Sequence, residues 1–146
     1  MRRDDPLQRL PLMLAALWWG SAAAVGAWVV PLLFMHLGSP AVAGAMAARL
    51  FAAQTWVALV CGLLVLWIGR RRDDEGGSTC HPMPEAWILA GMLAAAVMTW
   101  GVSPRILARE QLALWHSIGS FLYALQAGAA GVTLWRLGRL SPATAS

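Results

Sequence analysis

Four apolar runs, separated by short segments rich in arginine, proline and glycine, constrain this chain more than any other feature of it. They are Leu10 to Leu37, Leu50 to Gly69, Ala86 to Val102 and Leu112 to Leu134. A hydrocarbon core about 30 Å thick takes roughly 20 apolar residues to cross as helix. Each run meets or approaches that length, so an all-α integral membrane four-helix bundle is expected. The third run is the shortest, and the first is long enough to tilt or to lay part of itself along the interface. Composition agrees. The chain is 59% apolar and 12% charged, against about 45 to 50% and about 25% in soluble domains. The reading is one membrane domain, residues 1–146, with spans near 10–37, 50–69, 86–102 and 112–134 and a loop over 70–85.

The first run also has features of a cleaved leader, because Arg2 and Arg3 precede it and Ser21 to Ala24 are small. Apolar character continues through Trp28, Val29, Val30, Leu32, Leu33 and Phe34, well past a leader core, so retention as a helix is expected.

Every basic residue other than histidine is arginine, eleven in all, which removes lysine Schiff-base and lysine general-base chemistry. A formal charge of +4 and a pI near 10.5 would suit nucleic acid if the charges formed one face. They fall instead in clusters between apolar runs, so nucleic-acid binding is not expected. Such clusters orient a membrane protein, since basic loops stay cytoplasmic. Arg2, Arg3, Arg9, Arg70, Arg71, Arg72, Arg136 and Arg139 fall on one side, and Arg49, Arg105 and Arg109 on the other. Both termini and the 70–85 loop are therefore expected in the cytoplasm of a bacterium, with the spans in its inner membrane. Trp67, Trp87 and Trp135 fall at inner ends and Trp100 and Trp115 at outer ends, the headgroup levels that indoles favour. Trp28 lies inside the first span, where packing by a neighbouring helix is expected.

Ser39-Pro40 and Ser103-Pro104 both read as an N-cap followed by proline at the first helical position. Each would start the second helix of a hairpin, which suggests a tandem pair of hairpins. Small residues four apart, as in Gly20 with Ala24, Ala22 with Gly26, Gly91 with Ala95, Ala124 with Gly128 and Ala127 with Gly131, predict close helix contact in lipid. Pro31 is expected to kink the first helix.

Candidate chemistry concentrates near the outer side. His116 lies seven residues after Arg109, four before Ser120 and seven before Tyr123. That spacing places Arg109, His116, Ser120 and Tyr123 near one helix face, and this polar stripe is expected to turn into the bundle. His36 ends the first span on the same side. Two readings stand for the pair. Either His36 is interfacial and His116 bonds to a neighbouring helix, or both ligate haem or a metal such as copper. With no spacing motif behind it, no cofactor is the default expectation. Gln54 and Thr55, with Arg49, Arg105, Arg109 and Glu110, suggest a polar vestibule on that side; a solvated helix start is the plainer account of Arg109 and Glu110. Cys80 and His81 lack the second pair a zinc site requires, and Cys61 and Cys80 fall at different depths, so no disulfide is expected. Phosphate-binding glycine loops, paired catalytic carboxylates and serine nucleophile motifs are missing. The expectation is therefore a non-enzymatic binding, transport-accessory or structural component, surrounded by the lipid bilayer and associating with a second copy or a membrane partner. A transporter acting alone would need a polar path of which the fourth span offers only Tyr123, Gln126 and Thr133.

The stretch Val30-Pro31-Leu32-Leu33-Phe34-Met35-His36-Leu37, continued by Ser39-Pro40, Ala43-Gly44 and Leu50-Phe51, and then Leu114-Trp115-His116-Ser117, resembles a family of small bacterial membrane domains of unknown function related to eukaryotic transmembrane protein 205. The resemblance covers roughly Leu10 to Leu137. It implies a four-helix membrane fold and supplies no reaction. That family is distantly similar to copper-resistance D-type membrane proteins and to a haem-associated protoporphyrinogen oxidase, which makes His36 and His116 the positions to compare. The oxidase pattern uses a lysine that this chain lacks, so its activity is not expected here.

Overall fold

A computed structural model describes residues 6–74, 84–108 and 111–140, and these are helical almost throughout, with no strand among them. The first span is built from α1 (Pro6–Ala24), a π-helical turn (Val25–Val29) and α2 (Val30–His36). The second is the single helix α3 (Pro40–Asp74). The third repeats the design of the first, with α4 (Glu85–Ala96), a second π-helical turn (Val97–Val102) and α5 (Ser103–Leu107), and α6 (Leu112–Leu140) is the fourth. The helices extend past the apolar runs: α3 begins at Pro40, where the alanine-rich segment before Leu50 is itself a strong helix former. All four spans are long and apolar enough to cross a membrane.

Each span packs on the next, and the fourth closes on the first, giving an antiparallel ring. One end of the bundle, here the terminal end, carries Pro6, Asp74, Glu85 and Leu140. The far end carries His36, Pro40, Leu107 and Leu112. Large apolar side chains cover the outside, among them Met13, Leu63, Leu93, Trp100 and Phe121. That is the arrangement lipid favours, because tails attract leucine as well as another leucine does and small residues are left to line the helix contacts. The apolar core occupies the middle and the terminal half: Ala15, Trp18, Ala58, Cys61, Val65, Ile88, Ala95, Ala130 and Leu137.

The two π-turns have a common cause. A proline contributes no N–H and crowds the preceding turn, and one lies two residues beyond each wide turn, at Pro31 and at Pro104. The Val30 N–H reaches back to the Val25 carbonyl, and the Ser103 N–H to that of Met98, which also accepts the Ser103 hydroxyl at 3.0 Å. Two hairpins therefore follow one another, and both first helices carry a proline-linked wide turn. The Ser-Pro signal marked this only in part. Ser39-Pro40 does open α3, whereas Ser103-Pro104 continues the third span, because the Ser103 hydroxyl turns back into its own helix. Gln111, with φ of 36°, makes the turn into α6 and offers its carbonyl to the Leu114 and Trp115 N–H groups.

Close contacts fall on some of the small-residue faces. A Cβ on Gly26 would lie 2.6 Å from the Tyr123 ring, one on Gly91 would lie 2.8 Å from Trp18, and one on Gly131 would lie 3.0 Å from Trp19. Ala22, Gly91 and Ala95 are buried. Gly20 and Gly128 meet nothing within 4 Å, so the pairs Gly20 with Ala24 and Ala124 with Gly128 are not seams. Trp28 is also corrected: it is 73% exposed, on the outer surface of the first π-turn, with no helix packed over it.

Candidate functional site: a polar layer at mid-bundle

Polar side chains at membrane depth are costly and are by default candidates for function. In this bundle they converge near the midpoints of the spans. From the second span, buried Gln54 donates through Nε2 to the Ser21 hydroxyl at 3.1 Å and to the Trp18 carbonyl at 3.5 Å. Ser21 donates to that same carbonyl at 3.0 Å. The next residue, Thr55, faces the third span. Its hydroxyl lies 2.6 Å from that of Thr99, 3.2 Å from the Ala95 carbonyl and 3.0 Å from the carbonyl of Phe51 in its own helix. Having one proton, it gives that to a carbonyl when Thr99 donates to it. From the fourth span the Tyr123 hydroxyl donates to the Ala22 carbonyl at 2.7 Å, and the ring tilts against Phe51 with centroids 4.9 Å apart. Polar ties thus cross the seams between first and second, second and third, and fourth and first spans. The seam between third and fourth is steric, with Gly91 close to Ala129 and Gly119 against Met98.

Two members of the layer are left over. The indole Nε1 of Trp18 and the amide Nε2 of Gln126 are buried and have no hydrogen-bond partner. Trp18 is wholly buried and Gln126 is 2% exposed. Both are donors, and an unmet donor in a dry interior costs about 1–3 kcal/mol. Thr133, one turn of α6 or more toward the terminal end, satisfies itself on the Ala129 carbonyl at 2.8 Å.

The polar stripe expected on the fourth span is divided. Tyr123 points inward, as expected, but His116 and Ser120 are exposed. Met98 and Ile106 of the third span cover α6 at Gly119, while α2 packs on α3. The α6 face bearing His116 therefore stays open at the far end. Ser120 bonds to the His116 carbonyl at 2.9 Å, within its own helix. His36, at the end of α2, is exposed as well. Among the described residues no group of three or more histidines, cysteines, aspartates or glutamates comes together to hold a metal ion, so the geometry gives the haem or copper reading no support. Arg109 lies outside the described residues, as do Glu110, Cys80 and His81.

Gln54 and Thr55 do not line a vestibule. They lie deeper and are buried, whereas Arg49 and Arg105 are exposed, with Arg105 stacked 4.3 Å over the Trp115 ring. Sequence reasoning passed over Trp18, Ser21 and Thr99. A signal existed for the first: Trp18 stands far from either end of its span, where an indole cannot reach the headgroups.

The family described as Domain of unknown function (DUF4149) matches residues 13–113, which include Trp18, Ser21, Gln54, Thr55 and Thr99 but end before Tyr123 and Gln126. No curated protein and no solved structure matches at significance. The wider likenesses to transmembrane protein 205 and to copper-resistance D-type proteins do not come with the family match.

Proposed function

Because this chain belongs to the DUF4149 family, whose description carries no activity, we propose its role from the bundle itself: a multi-pass inner-membrane protein, both termini cytoplasmic, that works without catalysis as a binding or transport-accessory component through its mid-bundle polar layer. The observation behind this reading is the pair of buried donors, Trp18 Nε1 and Gln126 Nε2, left without a partner among polar groups that otherwise tie three seams. An unmet buried donor weakens the fold, so the pair favours an acceptor supplied from outside the chain.

Orientation rests on arginine. Arg70, Arg71, Arg136 and Arg139 stand at the terminal end, where Arg71 lies 4.2 Å over Trp67 and Arg139 3.9 Å over Trp135. A paired indole and guanidinium suit the headgroup level. Cys80 should then resist a membrane-impermeant maleimide in intact spheroplasts and react after lysis; strong labelling before lysis reverses the topology.

The binding role is tested by Gln126→Leu, followed by unfolding in mixed micelles. A site kept for a ligand loses no stability, or gains some, when its unmet donor becomes apolar. A fall of more than about 1 kcal/mol, the usual worth of a bonded polar group, assigns the layer to holding the helices together instead.

A further inference from the structure

We infer that Trp18 and Gln126 share one neutral, water-sized hydrogen-bond acceptor at the middle of the bundle, and that this acceptor is a bound water molecule. The inference deepens the proposed function and rests on the polar layer being the binding site.

The shared location follows from Gly91. A Cβ there would lie 2.8 Å from Trp18 Cζ2, the ring atom next to the one that bears Nε1, and 3.0 Å from the Ala129 Cβ. Gln126 is the residue one helical turn before Ala129. The indole of Trp18 on the first span and the turn of the fourth span that carries Gln126 thus border the same glycine.

Chemistry then narrows the occupant. Both free groups are N–H donors, so it must offer lone pairs. It has to be small, because Trp18 is wholly buried, Gln126 is 2% exposed, and a methyl group on Gly91 would already come within 3.0 Å of Trp18. It has to be neutral. The arginines of the described residues lie at the span ends, at 9, 70–72, 105, 136 and 139, or, at 49, on the exposed surface of α3, and an anion at mid-membrane without a counter-charge is strongly disfavoured. A halide or carboxylate is therefore excluded. Water accepts from both donors and keeps two protons for helix carbonyls, the two to four partners typical of a buried water.

The test uses the full chain in detergent, labelled with ¹⁵N at the tryptophan indoles. Nine indole N–H signals are expected from nine tryptophans, and Trp18→Phe, which keeps a six-membered ring and loses the pyrrole ring with its N–H, identifies the Trp18 signal by its disappearance. Should Trp18→Phe fail to fold, replacing the other eight tryptophans one at a time identifies it by elimination. The expected result is a Trp18 N–H shifted downfield by hydrogen bonding, with a cross-relaxation peak to water, and a change in both on Gln126→Leu. A downfield Trp18 signal without the water peak that persists in Gln126→Leu overturns the water and leaves the layer as a binding site for a group carried by lipid; one that is lost in Gln126→Leu makes the Gln126 carbonyl oxygen the acceptor and overturns the binding role as well. A Trp18 signal at the position of an unbonded indole, unmoved by Gln126→Leu, overturns the shared site and the binding role together.

Discussion

The middle of the bundle and its far end hold similar polar residues and put them to opposite use. At mid-depth Gln54, Thr55 and Tyr123 face inward, each bonded across a seam to another span. At the far end His36, His116 and Ser120 face outward, and the Ser120 hydroxyl is satisfied by its own helix. Position along a helix decides neither outcome. His116 and Tyr123 are seven residues apart and nearly on one face, yet α1 lies against that face at Tyr123, and at His116 the first span has moved across to α3. Polar residues are sealed in where four helices meet, and left in the open where the ring loosens.

The largest expected effect tests the sealed region directly. Trp18→Ala removes the largest wholly buried side chain of the core and is expected to cost about 3–5 kcal/mol, as large aromatic truncations do. Trp28→Ala, one helical stretch away and 73% exposed, should cost less than about 1 kcal/mol. Reversible unfolding in mixed micelles measures both. Equal losses would mean that the first span is packed as closely at Trp28 as at its middle, and the comparison would fail.

Glycine gives the same contrast with a sign change. At Gly91 a methyl group meets the Trp18 ring at 2.8 Å and Ala129 at 3.0 Å, and neither a buried indole nor a helix-borne methyl can step aside. Gly91→Ala should therefore destabilise by about 1–3 kcal/mol. Gly44, near the far end of α3, has nothing within 4 Å, so Gly44→Ala should stabilise by about 0.5–1 kcal/mol through helix propensity alone. The same unfolding assay reads both, and a stabilising Gly91→Ala would show that the seam between third and fourth spans has slack.

Much of the fold was legible in the sequence, since hydropathy locates runs of twenty apolar residues whatever packs beside them. The helix number and the Ser39-Pro40 start came through because each depends on local chemistry. The site was less legible. Gln126 and Thr133 were visible as polar residues deep in the fourth span, but hydropathy carries no rotation about the helix axis and names no neighbours, so nothing distinguished inward Tyr123 from outward His116. Trp18, Ser21 and Thr99 were missed because each is ordinary in its own segment; only the ring of four helices brings Ser21 to Gln54 and Thr99 to Thr55. The misreading of Ser103-Pro104 has the same root, since a serine before proline caps a new helix or bonds back into the old one according to the chain path beyond it.

The smallest effects sharpen the contrast furthest. Thr55→Val keeps the shape of the side chain and removes a hydroxyl that reaches Ala95 and Thr99 on the third span, so a loss of about 1 kcal/mol is expected, within the range measured for hydrogen bonds between helices in membranes. His36→Ala and His116→Ala remove exposed side chains and should each stay within about 0.5 kcal/mol of the parent. The three variants belong in one unfolding series, because the argument concerns their order. If His116→Ala costs more than Thr55→Val, then a group outside the four helices, such as a second copy of the chain, covers the far end in the membrane. The open face of α6 would then be an interface, and the loosened end of the ring would be where this protein meets its partner.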